Sequence, residues 1–393
     1  MAGFSNSQYG RYVAVPDSSG HDRCIQSVCV SPNGLWIASV GDDDSAILWS
    51  TQDGTAVHDW KVTDHYGDPS FSPNSRYIAL QMRSDTIVLR DAWSNFDIVQ
   101  EINAYEGATF HQCIWSPAGD VFAILSTSSH DGMFDFDIYR WQEPEDETID
   151  DKHHLKLVFD HRLEPLPRLE GPGTADYGWT TACFLHACHR LLCAHYRQDV
   201  EQLRESVLCI WDTKSGTLHK RLLCPGTEVT TVSSSPANPG LVVTGSSDGT
   251  TRLWDTEAGT ILYTLLDTTS ELHFSADGMR ILCPSRGYAR INTWDMSSGT
   301  LIASLQTHDR IRTVSISPDG QHVALAYEDG TVRLWKANDG ACVAVYANHG
   351  SPVTHFAFSP DGQLLCCGAE DGSVCIRPMP IILASENAGM RDL

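Results

Sequence analysis

The sequence predicts an all-β fold built from short antiparallel strands, because strand-like runs alternate with tight-turn signals. Between His308 and His349, four apolar runs are separated by turns rich in Pro, Asp and Gly, as at 317–320 and 328–330. Runs of this length with such boundaries are typical of an antiparallel meander. Four strands cannot bury both of their faces alone, so we expect this unit to pack against copies of itself.

Copies of the unit recur along most of the chain. The third strand of each copy ends at a Trp or Arg, and the endings lie 40 to 43 residues apart at five of seven steps. Four strands per repeat of about 40 residues indicate the blades of a closed β-propeller. We predict eight four-stranded blades, with seven as the alternative, because the longest step is too short to hide another blade. The endings are Trp49, Arg90, Trp141, Trp211, Trp254, Trp294, Trp335 and Arg377.

The endings and turns resemble those of the WD-repeat β-propeller family. Trp-Asp pairs end the strands at 210–212 and 253–255, and Ser-Pro-Asn/Asp-Gly turns stand at 31–34 and 359–362. The resemblance covers about residues 20 to 379 and implies that an N-terminal strand completes the last blade and closes the ring. The run at 10–16 fits that strand.

The domain organisation follows from the repeat. We expect a flexible N-terminus at 1–9, one propeller at 10–379 and a C-terminal tail at 380–393. Insertions at 162–177 and 197–206 would lie on the face that holds the turns after strands two and four, called the top face here. An acidic insertion at 143–154 would lie on the opposite face. Long loops on a rigid scaffold often carry function.

Charge and cysteine content limit the partners and the location. The chain has 27 Lys+Arg against 50 Asp+Glu, a net charge of −23, which disfavours nucleic-acid binding and either favours basic partners or only keeps the protein soluble. Its 13 cysteines lack framework spacing, so we expect reduced thiols in the cytoplasm, with the nucleus as the alternative. We expect no membrane association, since no secretory leader or long apolar run is visible.

The resemblance also implies a structural tetrad, in which hydrogen bonds tie a turn to a strand tryptophan. The matching residues in blade 1 are His21, Ser39, Asp43 and Trp49. Buried polar groups need such partners, so we expect this set to stabilise the blade rather than to catalyse a reaction. Other blades depart from the pattern, as at Leu325, which replaces the serine in blade 7.

A partner-binding rim on the top face is the sharper hypothesis. In the family, the residue before the tetrad aspartate points to this rim, and an acidic, partly aromatic rim would suit a Lys- or Arg-bearing peptide. The alternative is that these acidic residues only favour turns. The rim residues are Asp42, Ser247, Glu328 and Glu370, joined by Arg286 and Tyr288 from blade 6.

Two patterns that suggest chemistry have simpler explanations. The G-x-S-x-G sequence at 245–249 leads into a strand, whereas a nucleophile elbow leads into a helix, so we expect no catalytic residue there. The region 183–195 is rich in Cys and His, but it has no CxxC pair, and strand alternation separates its side chains. We expect no metal and no cofactor.

The sequence therefore favours a non-enzymatic scaffold that binds a protein or peptide on the top face. The alternative is an enzyme or small-molecule binder that uses the central pore, gated by the 162–177 loop. A third option is a structural subunit of one larger complex.

Overall fold

The computed structural model describes residues 13–14, 20–62, 67–105, 107–127, 134–142, 156–163, 177–185, 189–198, 204–224, 228–266, 272–285, 288–307, 310–347 and 350–379. The predicted flexible segments at 1–9 and 380–393 and the acidic insertion at 143–154 lie outside these ranges. Only the strand ends of the two top-face insertions are described. The domain boundaries therefore stay predictions.

The described strands form eight four-stranded antiparallel sheets, each of which is one blade. The first four blades each consist of four strands that are consecutive in the chain. Blade 1 contains β2 (Ile25–Val30), β3 (Trp36–Gly41), β4 (Ser45–Ser50) and β5 (Ala56–Lys61), and blade 2 contains β6 (Ser70–Phe71), β7 (Tyr77–Arg83), β8 (Thr86–Asp91) and β9 (Asp97–Asn103). Blade 3 contains β10 (Thr109–Trp115), β11 (Val121–Thr127), β12 (Phe134–Gln142) and β13 (Lys156–Arg162), and blade 4 contains β14 (Tyr177–Leu185), β15 (Arg190–Gln198), β16 (Arg204–Asp212) and β17 (Leu218–Cys224).

The remaining blades follow the same order, except that the last one borrows a strand. Blade 5 contains β18 (Val229–Ser234), β19 (Leu241–Ser246), β20 (Thr250–Asp255) and β21 (Thr260–Leu266), and blade 6 contains β22 (His273–Phe274), β23 (Arg280–Pro284), β24 (Arg290–Asp295) and β25 (Leu301–Gln306). Blade 7 contains β26 (Ile311–Ile316), β27 (His322–Tyr327), β28 (Thr331–Lys336) and β29 (Cys342–Ala347), and blade 8 contains β30 (Val353–Phe358), β31 (Leu364–Ala369), β32 (Val374–Pro378) and β1 (Val13–Ala14).

The N-terminal strand closes the ring, as predicted. Val13 pairs with Ile376 and Ala14 with Cys375 in an antiparallel register. The first strands of neighbouring blades contact one another, as β2 does with β30 and β6, so these strands form the inner wall around a central channel. The prediction of an eight-bladed propeller is confirmed, and the seven-bladed alternative is wrong.

The hydrophobic core lies in the seams between blades. Eight buried clusters each join two neighbouring blades, and together they fill all eight seams. At the closing seam, Ile25, Ile37 and Trp49 of blade 1 pack on Val374 and Ile376 of blade 8. Burying one such side chain contributes about 1.5–3 kcal/mol. Both faces of a middle strand are buried, which explains continuous apolar runs such as Val121 to Leu125.

The strand register in blade 3 corrects one assignment from the sequence. In blade 1, Trp49 pairs with Ile37, and the equivalent residue in blade 3, Phe122, pairs with Tyr139. Tyr139 therefore occupies the tryptophan position, and the sequence assignment of Trp141 was wrong by two residues. Trp141 instead donates from Nε1 to the Gly119 carbonyl at 3.0 Å. The nine-residue strand β12 extends past the position at which shorter third strands end.

Helical structure is minor in the described ranges. A 3₁₀ helix spans Ala92–Ser94, and the Asp91 side chain caps it by accepting a hydrogen bond from the Trp93 amide. No helix in the described part of the chain is long and apolar enough to cross a membrane.

Candidate functional site

The described rim residues all lie on the same face of the ring. Asp42, Ser247, Tyr288, Glu328 and Glu370 stand in the turns between the second and third strands of blades 1, 5, 6, 7 and 8. Arg286, which was assigned to the same rim, lies outside the described residues. These residues therefore lie in equivalent turns, on the face to which the sequence assigned them.

Two arginines, Arg312 in β26 and Arg310 directly before it, approach the acidic rim of blades 7 and 8. The Arg312 guanidinium lies 3.1 Å from a Glu370 carboxylate oxygen and 3.8 Å from a Glu328 oxygen. Arg310 lies 3.8 Å from the same Glu328 oxygen. These side chains are all at least two-fifths exposed, so each pair stabilises the fold by at most about 1 kcal/mol. Their main effect is to compensate much of the negative charge at this part of the rim.

Sequence reasoning missed both arginines because it assigned the rim from turn residues alone. Arg312 occupies a bulge in β26, where the register shifts between Ile311 and Thr313. The same shift recurs in β2 and β30, after Ile25 and after Val353. The extra residue of a bulge is directed differently from its neighbours. The sequence did contain a signal for this placement of Arg312. In each of these inner strands, the bulged residue directly follows the first buried residue.

The expected aromatic rim residue is half-buried. Tyr288 packs against the seam between blades 6 and 7, and its φ angle is +57°. Its carbonyl accepts a hydrogen bond from the Thr307 hydroxyl. The Tyr288 ring is therefore part of a seam and offers less aromatic surface than the sequence suggested.

Two other carboxylates line the central channel. Asp42 and Asp68 border a cavity of about 1070 Å³ formed by the inner strands of blades 1 to 4. Among the described residues that line it there is no Lys or Arg, and no ion pair to either aspartate occurs in the described ranges. Asp68 was not predicted as a site residue, because it lies before the short strand β6 rather than in a rim turn.

Polar groups without partners accompany these carboxylates. The Oε1 atom of Gln112, on the cavity wall, is buried and has no hydrogen-bond partner. The Nδ1 atom of His355, on the inner strand of blade 8, is in the same situation. Burial lowers the pKa of His355, while the charge of Asp68 opposes that shift. Asp68 therefore acts electrostatically across the channel.

The charges of blades 7, 8 and 1 meet around one thiol. Burial raises the pKa of Cys24, and the charges of Asp42 and Glu370 raise it further, while Arg312 lowers it. The compensated rim of blades 7 and 8 is thus close to the unpaired carboxylate of Asp42. On the described part of the top face, Asp42 and Asp68 of blades 1 and 2 are the carboxylates that border the channel without an ion pair.

The predicted tetrad of blade 1 is formed. Ser39 Oγ accepts a hydrogen bond from Trp49 Nε1 at 2.8 Å and lies 2.8 Å from His21 Nε2, while His21 Nδ1 lies 2.9 Å from the Asp43 carboxylate. Burial alone would raise the pKa of Asp43, but hydrogen bonds from Ser45 and His21 outweigh it and lower this pKa to about 2. The tetrad connects the top turn to the core, as a stabilising element should.

Other blades replace the tetrad in part. In blade 5, Trp254 donates to Thr244 Oγ1 at 3.0 Å, and Arg252 contacts Asp248 at 3.2 Å. In blade 7, where Leu325 holds the serine position, the Nε1 atom of Trp335 is buried without a partner. The predicted histidines of blades 7 and 8 lie outside the described residues. An arginine on the third strand thus contacts the aspartate of blade 5 where blade 1 uses histidine.

Neither of the two doubtful motifs gains chemical support. Ser247, within the G-x-S-x-G sequence, lies in a turn between the antiparallel strands β19 and β20. In the Cys- and His-rich region, burial raises the pKa of Cys183 to about 12, which disfavours the thiolate that a metal needs. No group of three or more metal-ligating side chains occurs in the described ranges, and residues 186–188 lie outside them.

Comparison with known proteins identifies the repeat. The family described as "WD domain, G-beta repeat" matches residues 12–50, 216–255, 299–336 and 340–377. The matches at 216–255, 299–336 and 340–377 each begin at the outer strand of one blade and end at the third strand of the next blade. The sequence repeat is thus offset from the blade by one strand, so each repeat contributes its first strand to one blade and its other three strands to the next.

Several curated proteins are similar over part of this chain. A guanine nucleotide-binding protein subunit beta of Arabidopsis thaliana is 30% identical over 38% of this chain and 30% of its own length. Apoptotic protease-activating factor 1 of Danio rerio is 23% identical over 90% of this chain and 23% of its own length. A periodic tryptophan protein 2 homolog of Caenorhabditis elegans is 29% identical over 26% of this chain and 11% of its own length. The matches thus cover less than a third of each relative's own length. Four matched repeats within an eight-bladed ring identify this chain as a WD-repeat β-propeller.

Proposed function

We propose that this propeller is a non-enzymatic scaffold whose top face binds a basic segment of a protein partner. The coarser part, a protein-interaction scaffold, agrees with the WD-repeat relatives. The finer part rests mainly on Asp42 and Asp68, two carboxylates without ion pairs among the described residues that border one cavity. Lys and Arg side chains form charge-assisted hydrogen bonds with such groups.

The rim arginines refine where the basic segment would bind. Because Arg312 already bridges Glu328 and Glu370, a partner cation gains less there than beside Asp42 and Asp68. We therefore place the principal contact at blades 1 and 2, with the rim of blades 7 and 8 as a secondary contact. A partner arginine could take the place of Arg312 between the two glutamates, which would preserve both ion pairs.

The test starts from random short peptides displayed on beads and sorted on the labelled propeller. We expect the recovered peptides to be enriched in Lys and Arg. For the tightest peptide, the double change Asp42→Asn and Asp68→Asn should weaken binding at least about tenfold, because each lost charge-assisted hydrogen bond costs about 1.5–3 kcal/mol. Titration by fluorescence anisotropy measures the loss.

Asp339→Asn provides the matched control. Asp339 is also an exposed turn aspartate, but its turn follows the third strand of blade 7 and lies on the opposite face. Replacing it should leave the affinity unchanged. Peptides without basic enrichment, or an equal effect of Asp339→Asn, would contradict a basic partner on the top face.

The pore supports a second candidate function, the binding of a small molecule. The cavity of about 1070 Å³ and the unpartnered Oε1 atom of Gln112 favour it, because pockets for small ligands combine volume with a few converging polar groups. A ligand screen by thermal shift tests this candidate. A hit whose effect survives Gln112→Leu would not be using the channel wall.

Complex membership and location belong to the same proposal. Purification of the tagged chain from its native cells would distinguish a structural subunit, which recovers partners at fixed stoichiometry, from a scaffold that exchanges partners. Imaging of the same tagged chain tests the expected cytoplasmic location against the nuclear alternative.

A further inference from the structure

Two pairs of cysteines stand directly opposite each other on neighbouring strands of the described blades. Cys193 of β15 is aligned with Cys209 of β16 in blade 4, and Cys367 of β31 is aligned with Cys375 of β32 in blade 8. The Cα atoms of opposed residues in an antiparallel pair lie about 4.5 or about 5.5 Å apart, within the range of about 4.4 to 6.8 Å that a disulfide requires. All four residues are thiols in this structure.

Both pairs stand where blade 1 has the hydroxyl of its tetrad. In blade 1, Ser39 binds Trp49 and is aligned with Ile47. Cys193 and Cys367 hold the position of Ser39 in blades 4 and 8, since each lies two residues after the residue that pairs with the third-strand ending. Opposed residues lie on the same face of a sheet. Each pair is therefore enclosed in one seam of the ring, and its side chains are at most 5% exposed.

The pair in blade 8 has a buried cation beside it. Arg377 stands two residues after Cys375 on β32, so both side chains lie on the same face of that strand. Arg377 holds the position of Trp49 and is 5% exposed. Burial raises the pKa of Cys367 and of Cys375, and the charge of Arg377 opposes the shift at each thiol. A neighbouring arginine favours the thiolate, which is the nucleophile in disulfide exchange.

The strands that cover the two pairs differ in length. On its outer side, Cys375 is aligned with Ala14 of β1, a strand of two residues in the described ranges. On its outer side, Cys209 is aligned with Arg221 of β17, a strand of seven residues inside the chain. A short strand near the chain end opens more easily than a long internal strand. Release of β1 therefore uncovers the pair of blade 8 while the pair of blade 4 stays covered.

We propose that Cys367 and Cys375 form a redox modification site, at which a small soluble disulfide converts the two thiols into a cross-strand disulfide when β1 is released. The Cys375 thiolate attacks one sulfur of the small disulfide, whose S–S bond breaks, and the departing small thiol takes up the proton that Cys375 gave up. The Cys367 thiolate then attacks the Cys375 sulfur and expels the second small thiol with the second proton. The protein loses two electrons and two protons, and the small disulfide gains them.

The new bond would join the second and third strands of blade 8 beside the closing strand. Cys367 packs in the seam between blades 7 and 8, so the bond lies away from the channel cavity that Asp42 and Asp68 border. An excess of a small thiol reverses the exchange by the same steps. The oxidation state of this pair would thus report how often the ring opens at its closing strand, and it does not depend on the proposed function.

Peptide mass mapping of the full chain after incubation with oxidised glutathione tests the proposal. The remaining thiols are alkylated in denaturant before digestion, so that each cysteine can be assigned. We expect a disulfide between Cys367 and Cys375 that dithiothreitol removes, while Cys193 and Cys209 can still be alkylated at the same time point. Absence of the blade 8 disulfide, or oxidation of both pairs at equal rates, would overturn the proposal.

Cys367→Ser separates the two steps of the exchange. This variant keeps the attacking thiol but lacks the second one, so we expect a stable glutathione adduct on Cys375. Cys193→Ser makes the same change at the equivalent position of blade 4 and should leave the blade 8 disulfide unaltered. Circular dichroism should show that both variants keep the propeller, since serine holds this position in blade 1. A stable adduct on Cys375 in the unchanged chain would contradict the second step.

Weakening β1 tests the access route. The full-length double change Val13→Gly and Ala14→Gly disfavours the strand, and the blade 8 pair should then oxidise at least about tenfold faster, because the reaction follows the population of the open form. The rate at Cys193 and Cys209 should stay the same. If the double variant does not fold, Val13→Gly alone weakens β1 less and should still raise the rate. An oxidation rate that does not respond to these changes would overturn the proposal.

Discussion

Ser39 shows how one hydroxyl can hold several parts of a blade. It accepts from Trp49 and bonds to His21, so the middle strand, the third strand and the top turn share one oxygen atom. Blade 7 shows the contrast, because Leu325 takes the place of the serine and the Nε1 atom of Trp335 has no partner. The apolar packing of that seam outweighs the unsatisfied donor.

Replacing Ser39 should therefore cost more than removing a single hydrogen bond. Ser39→Ala leaves two buried groups without a partner, and we expect the free energy of unfolding to fall by about 2–4 kcal/mol, since each unsatisfied group costs about 1–3 kcal/mol. Thr244→Val in blade 5 removes only the Trp254 bond and should cost less. Urea unfolding of both variants measures the difference, and an equal loss would contradict the shared role of Ser39.

The Asp43 carboxylate should make stability depend on acidity. Its pKa in the folded protein is about 2, below the ordinary value of 3.8, so the unfolded chain binds more protons between these values. The stabilisation is complete above about pH 4 and is lost as the pH falls towards 2. Asp43→Asn should melt at a lower temperature near neutral pH and lose less on acidification over that window. If the melting temperatures of the variant and of the unchanged chain fall equally on acidification from about pH 4 to about pH 2, this role of Asp43 is refuted.

At the scale of elements, the top turns join neighbouring blades as well as neighbouring strands. Gly372, between β31 and β32, has a φ angle of +81° and lies against the His21 backbone of blade 1. A Cβ atom there would overlap the His21 carbonyl oxygen. This glycine thus allows blade 8 to approach the tetrad of blade 1 at the closing seam.

A pair of glycine substitutions separates backbone strain from this close approach. Gly34 also has a positive φ angle, +72°, but a Cβ atom there meets nothing within 4 Å. Gly34→Ala should cost about 1–2 kcal/mol from the left-handed conformation alone. Gly372→Ala should cost at least about 3 kcal/mol, because the clash with backbone adds to that strain. Thermal and denaturant unfolding measure both, and similar losses would show that the turn can move away from His21.

At the scale of the whole molecule, stability depends on closure. Every blade packs on two neighbours, and β1 supplies the fourth strand of blade 8 from the opposite end of the chain. This pairing brings together residues that are more than three hundred positions apart in the sequence. Such contacts form at a high entropic cost of loop closure, and they leave no blade at the end of the array with an exposed seam.

Shortened chains test the closing strand. A chain that begins at residue 15 lacks both paired residues, Val13 and Ala14, and we expect it to melt several degrees lower and to aggregate more readily, since blade 8 then has an unpaired edge. A chain that begins at residue 10 keeps the strand and should melt like the full chain. If both shortened chains melt alike, β1 contributes little to closure.

The positions at which sequence reasoning failed share one physical cause. Arg312 reaches the rim through a bulge, and Asp68 enters the channel beside a very short strand. Tyr139 rather than Trp141 pairs with Phe122 and so holds the position that Trp49 holds in blade 1. Each placement depends on how one strand is aligned with another. Turn residues and apolar runs do not encode that alignment, because a shift of one residue changes which side chains face the channel.

The sequence by itself determined the number of blades, the identity of the closing strand and the tetrad of blade 1. These features follow from local turn chemistry, from strand periodicity and from a repeat of nearly constant length, all of which can be read along the chain. Only the tertiary structure decided which rim carboxylates are compensated and which ones remain available in the channel. Those properties arise from charges and side chains on different blades, whose separation is fixed when the ring closes.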